Sequence, residues 1–142
     1  MSYLYEDDVL LWSERQADLL RRNASVARSN DAIDWLNVIE EIEDVGRSEL
    51  RSCRSLLRQA LRHMLKAEAW PLSRDAPNWR ADAVDFRRQA RDAFTPSMRQ
   101  RIDVASLYAD ALAALPETMD GVAPLPVPAV CPVTLDELLA GD

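Results

Sequence analysis

Residues 35–50 read WLNVIEEIEDVGRSEL, and their spacing decides the fold. Trp35, Val38, Ile39, Ile42 and Val45 recur at three- and four-residue intervals, the mark of one helical face. Asp34 stands just before them as an N-cap residue. No proline interrupts the chain until Pro71. The pattern therefore predicts one helix from about Asp34 to Trp70, roughly 50 Å long. Leu50, Cys53, Leu56, Leu57, Ala60, Leu61 and Met64 continue the stripe. Gly46 falls within that face. Since the stripe stays in phase on both sides, the glycine predicts close approach of a neighbouring helix and not a kink.

Outward from this element the chain reads as further helices. A first helix is expected from about Glu6 to Arg22, with Val9, Trp12, Gln16, Leu19 and Leu20 on one face and Leu11 on another. Asn23 to Asp31 is polar and reads as a loop. After the two prolines of PLSRDAPN, Asn78 is placed to cap a third helix reaching Phe94. Thr95-Pro96 signals a fourth, to about Leu115, because proline suits the first helical position. Pro124, Pro126, Pro128 and Pro132 then enforce an extended arm carrying Val122, Leu125, Val127 and Val130. Thr134 and Glu137 form a capping box for a last short helix around Leu135 to Leu139. The expectation is a single all-α domain over 1–142. Residues 1–120 would form a bundle of four main helices around the long second one, and 121–142 a Pro-rich arm with a terminal turn.

Composition agrees and narrows the function. The chain of 142 residues is 48% hydrophobic with 3 glycines, enough for one core and poor in the residues of turn-rich β folds. A net charge of −7 disfavours nucleic acid as a partner, because phosphate binding needs a basic surface. No run approaches the ~20 apolar residues of a membrane span. The N-terminus is acidic before its apolar stretch, the reverse of a secretory signal, so a cytoplasmic location is expected. Cys53 and Cys131 are isolated, without the spacing of a zinc knuckle, and a disulfide is not expected.

Several segments together resemble the bacterial family catalogued as domain of unknown function 29. They are YEDDVLLWSERQADLLR, IDWLNVIEEIEDVGRSE, HMLK, PNWRADA and CPVTLDELL, in this order. The likeness covers about Tyr3 to Leu139. It implies a small all-helical protein and implies no activity. The family's form carries an aromatic soon after the HMLK position, a role Trp70 can fill.

Two polar residues stand out along the long helix. Glu49 projects within about 40° of the apolar stripe, so it is expected to be buried and paired with a side chain of another helix. His63 lies at the edge of the same face. It is the only histidine, preceded three residues earlier by Ala60. A di-iron bundle built from two Glu-x-x-His motifs is thereby excluded, and no metal or cofactor is expected. Glu40, Glu41, Glu43 and Asp44 suit the positive start of a helix, and Arg47, Arg51, Arg54, Arg58 and Arg62 form a solvated stripe beyond them. The preferred function is a non-enzymatic protein-interaction module, able to self-associate or to bind another protein. Its candidate surface is Leu11, Leu107, Leu125, Val127 and Val130. The competing reading is a small enzyme or ligand binder with Glu49 in a pocket, assisted by Glu41 or His63.

Overall fold

A computed structural model describes residues 3–24 and 32–140 in full and the backbone of 25–27. Six α-helices appear among the described residues: α1 Leu4–Asp7, α2 Val9–Ala27, α3 Trp35–Ala69, α4 Ala76–Ala93, α5 Val104–Ala113 and α6 Leu135–Ala140. A 3₁₀ segment, Pro96–Arg101, lies between α4 and α5. The only β feature described is an isolated bridge between Met119 and Val122. The protein is all-α, as its periodicity predicts. Its contacts group it into two units, one of Met1–Arg51 with Phe94–Arg101, the other of Ser52–Ala93 with Ile102–Asp142. α3 runs through both.

In the first unit the buried line of α3 is narrower than the predicted stripe, whereas in the second Leu57, Leu61 and Leu65 are buried beside it and broaden it. Ile39, Gly46, Cys53, Ala60 and Ala67 are all buried at seven-residue intervals. Such a repeat keeps one seam of a helix against its neighbours. Gly46 has no side chain, so the backbone that meets it comes close and the contact there stays slim. Val38 and Val45, on the flank of this line, are exposed.

In the first unit, Gly46 makes the close contact expected of it. A Cβ there would stand 2.0 Å from Ser13 Oγ and 3.1 Å from Leu10 Cα. The buried face of α2 is accordingly Leu10, Ser13 and Ala17. The expected face of Val9, Trp12, Gln16, Leu19 and Leu20 is only half-buried, and Leu19 is exposed. The bulkier residues were the wrong guide, because a helix apposed at a glycine presents its smallest side chains. The helix also begins later than expected, at Val9, because Asp8 breaks α1 from α2 and caps the latter: Leu11 N–H donates to Asp8 Oδ1 at 3.1 Å. It ends later too, reaching Ala27 through part of the predicted loop, whose residues 28–31 lie outside the described residues. Tyr5 meets Trp12 edge to face at 4.8 Å.

In the second unit, α4 starts at Ala76, two residues before the predicted cap, and holds Pro77 in its first turn, where a missing N–H costs no helical bond. The predicted fourth helix is two pieces. Asp103 interrupts it in an extended conformation and caps α5, accepting from Ala105 N–H at 3.1 Å and Ser106 N–H at 3.4 Å. At the C-terminal end the capping box forms: Thr134 Oγ1 accepts from Glu137 N–H at 3.2 Å and donates to the Glu137 carboxylate at 3.1 Å. α6 packs on α4. Arg87 and Arg91, one turn apart on α4, donate to the last carbonyls of α6: Arg87 to Leu138 O at 3.0 Å and Glu137 O at 2.8 Å, Arg91 to Ala140 O at 3.2 Å. Cations at the negative end of a helix satisfy carbonyls that have no helical partner.

Candidate functional site

The arm that follows α5 builds a concavity of the second unit. Asp120 and Gly121 have φ of 53° and 77°, and Met119 and Val122 exchange both backbone hydrogen bonds at 3.0 Å. This is the two-residue Asp-Gly turn, whose positive φ values suit these two residue types. It turns the chain back toward the end of α3. There Trp70 Nε1 donates to Val122 O at 2.9 Å, and Leu125 N–H donates to Ala69 O, also at 2.9 Å. The second bond supplies a partner to an otherwise orphaned carbonyl at the helix end. Further on, the Tyr108 hydroxyl donates to Pro128 O. Val127, Leu115 and Met119 pack on a cluster centred on Trp70 and Trp79.

Between the turn and the end of α3 lies a pocket of about 640 Å³. Ala69, Trp70 and Met119 contribute to its wall, with Leu72, Val122 and Leu125 beside them. These last three are 97%, 57% and 54% exposed, a high fraction for adjoining large apolar side chains. Arg74, Ser73 and Asp120 supply its polar groups. A second, shallower concavity of about 550 Å³ is bordered by Met64, Glu68, Arg80, Val84 and Arg87.

The predicted site residues are dispersed. Glu49 is exposed, so the expected buried pairing is corrected. It sits about 60° off the Gly46 line. Beside so slim a seam, a long side chain at that angle reaches water. Glu41 is exposed as well. His63 is half-buried and stacked on Phe86 at 5.3 Å between ring centres. Burial holds its pKa below the ordinary 6.5, reinforced by the charges of Lys66 and Arg62 against the opposing Asp82. Glu49 belongs to the first unit and His63 to the second, and neither borders the two pockets described. Of the expected surface, Leu107 is buried, 1% exposed, and unavailable to a partner: it faces inward on α5 with Tyr108 and Ala111. Leu11 and Val127 are half-buried, while Leu125 and Val130 are exposed.

Among the described residues the buried carboxylate is Asp8, not Glu49. Asp8 is 4% exposed and its oxygens take Ser97 N–H at 2.8 Å, Ser97 Oγ at 2.6 Å and Leu11 N–H. Burial alone would raise its pKa, but these donors outweigh it and the net shift is downward. Cys53, fully buried, has its thiol pushed up to about 11 by burial. Among the described residues no group of three or more His, Cys, Asp or Glu could hold a metal ion. None of the described helices is long and apolar enough to cross a membrane.

These features define an all-α protein with one long helix and a returning, Pro-rich arm. Residues 4–142 match the family model described as "Domain of unknown function DUF29", and the chain belongs to that family. It is also similar to the crystal structure of an alpha-helical protein of unknown function from Rhodospirillum rubrum ATCC 11170. The two share 35% identity with a TM-score of 0.83, over 100% of this chain and 92% of that one. No curated protein matches the chain.

Proposed function

We propose that the protein is a non-enzymatic interaction module whose recognition site is the pocket at the end of α3, where a partner protein inserts an apolar anchor side chain. The observation that carries this reading is the pocket's composition: an indole and a thioether in the wall, with three exposed aliphatic side chains around them. Partner interfaces commonly seat an apolar anchor in a concavity of this kind within a mixed rim. The titratable groups with shifted pKa, Asp8, Cys53, His63 and Tyr108, all lie outside it. Asp8 is engaged by three donors and His63 is stacked on a ring, which suits structural roles for both. Leu125 and Val130 of the predicted surface stay exposed on the arm, and Leu125 borders the pocket. The net charge of −7 argues for a protein partner over nucleic acid. A cytoplasmic setting fits two free thiols.

The test is affinity capture from native lysate with the wild-type chain and with Ala123→Trp, which places a large ring at a pocket-lining, exposed position. The module reading expects a partner that the wild type retains and the variant loses, with both chains melting at the same temperature. Identical captured proteins from the two would overturn it.

A further inference from the structure

Arg74 and Asp120 both border the pocket, and both are exposed. Among the described residues neither has a hydrogen bond or ion pair, whereas many other charged side chains of this protein are paired. The rim therefore offers one free cation and one free anionic acceptor beside an apolar wall. An apolar anchor alone would engage neither group, and both would stay hydrated at the rim. A fatty acid would pair with Arg74 but has no N–H donor to offer Asp120. A ligand matching all three features carries a carboxylate, a neighbouring N–H donor and an aliphatic or aromatic group. The C-terminal residue of a polypeptide has this set: its α-carboxylate, its amide N–H and its side chain.

The geometry points to the pocket as a receptor for a polypeptide C-terminus whose last residue is apolar. The carboxylate pairs with Arg74, the last amide N–H donates to Asp120, and the side chain lies against Trp70 and Met119. Capture of a terminal carboxylate is a recurring mode of peptide recognition, and arginine suits it because its planar fork matches the two oxygens. This inference rests on reading the pocket as the recognition site and adds the chemistry of what enters it.

The experiment uses the full chain labelled with ¹⁵N and follows the Trp70 indole N–H, whose acceptor, Val122 O, belongs to a pocket residue. Three probes are titrated: the peptide Gly-Ser-Gly-Ser-Gly-Leu as the free acid, the same peptide amidated, and free leucine. The free acid is expected to shift the Trp70 signal saturably and to bind about tenfold more tightly than the amide, the usual weight of a charge-assisted hydrogen bond. Arg74→Gln is expected to bring the acid to the level of the amide and to leave the amide unchanged. Equal binding of acid and amide, equal binding of free leucine, or an unaffected acid in Arg74→Gln would overturn the proposal. So would a Trp70 signal that none of the probes moves. In each case the capture experiment with Ala123→Trp still decides separately whether the pocket is a partner site.

Discussion

The Asp8 carboxylate receives both donors of Ser97, the amide N–H at 2.8 Å and the hydroxyl at 2.6 Å, across a sequence separation of 89. The same side chain caps α2 through Leu11 N–H. One buried group thus starts a helix and ties the 3₁₀ segment to it. Asp8→Ala would remove the cap and leave the Ser97 donors without their acceptor. The expected loss is on the order of 2–4 kcal/mol, read as a lower denaturant midpoint. A change within ±0.5 kcal/mol would show that the contacts contribute nothing.

The same residue predicts a pH dependence. Its folded pKa lies below the ordinary 3.8, so the unfolded chain binds the proton more readily. Its contribution is complete well above pH 3.8 and is lost as the pH falls through the lowered folded value. Asp8→Asn should therefore flatten the acid limb of the stability curve in that range. Two parallel acid limbs, measured by urea denaturation at a series of pH values, would contradict this.

Gly46 carries the third prediction. Gly46→Ala would set a methyl carbon 2.0 Å from Ser13 Oγ, which is fully buried and donates to Leu10 O at 2.8 Å. Leu10 Cα, at 3.1 Å, is backbone and yields little. Overpacking of this kind costs typically 1–3 kcal/mol. Introducing Gly46→Ala into a Ser13→Ala background should cost less, since the nearest atom is gone. A double-mutant cycle with no coupling would refute the contact.

The cysteines should separate chemically. Cys53 is fully buried, donates to Ala90 O at 3.5 Å and has a thiol pKa of about 11, so little thiolate exists near pH 8. Cys131 is half-buried on the arm. Titration of the native protein with an aromatic disulfide reagent at pH 8 should label Cys131 first and Cys53 only on denaturation. Simultaneous labelling of both would count against the buried position of Cys53.

The helices were legible because their signals are local. The Asp34 start, the in-phase Gly46 and the Thr134–Glu137 box are each read from a few neighbouring residues. The errors share a cause. Angle alone places Glu49 in the interior, but the width of a buried seam depends on the size of what faces it, and Gly46 with Ser13 makes it slim. Asp8 and Asp103 each sit within a run that reads as continuous helix, although Asp before an apolar residue is a capping signal. The pocket needed Met119 to Val122 placed against Trp70, a pairing 52 residues apart that no periodicity encodes. The Asp120-Gly121 pair, a strong short-range turn signal, was the one local clue to it.

The arm supplies the last prediction, which concerns whether it is part of the fold. Trp70, Ala69 and Tyr108 hold it by hydrogen bonds to Val122, Leu125 and Pro128, and Arg87 with Arg91 holds the carbonyls of α6. Leu138 and Leu139 are buried at its end. Each well-buried leucine contributes roughly 1.5–3 kcal/mol before ordering costs, and proline reduces the entropy lost when the arm is fixed. Ending the chain after Gly121 removes all of this and should lower the melting temperature by on the order of 10 °C or more, at about 2–4 °C per kcal/mol for a chain near this size. Truncation can also expose Trp70 and cause aggregation, so a milder variant is needed beside it. Arg87→Met keeps the apolar stem but loses the donors to Glu137 and Leu138. It should cost about 1–2 kcal/mol and quicken proteolysis of the arm near Val130, which is already 76% exposed. If both variants melt as the wild type does, and protease removes the arm of the wild-type chain at once, the arm is only a tail.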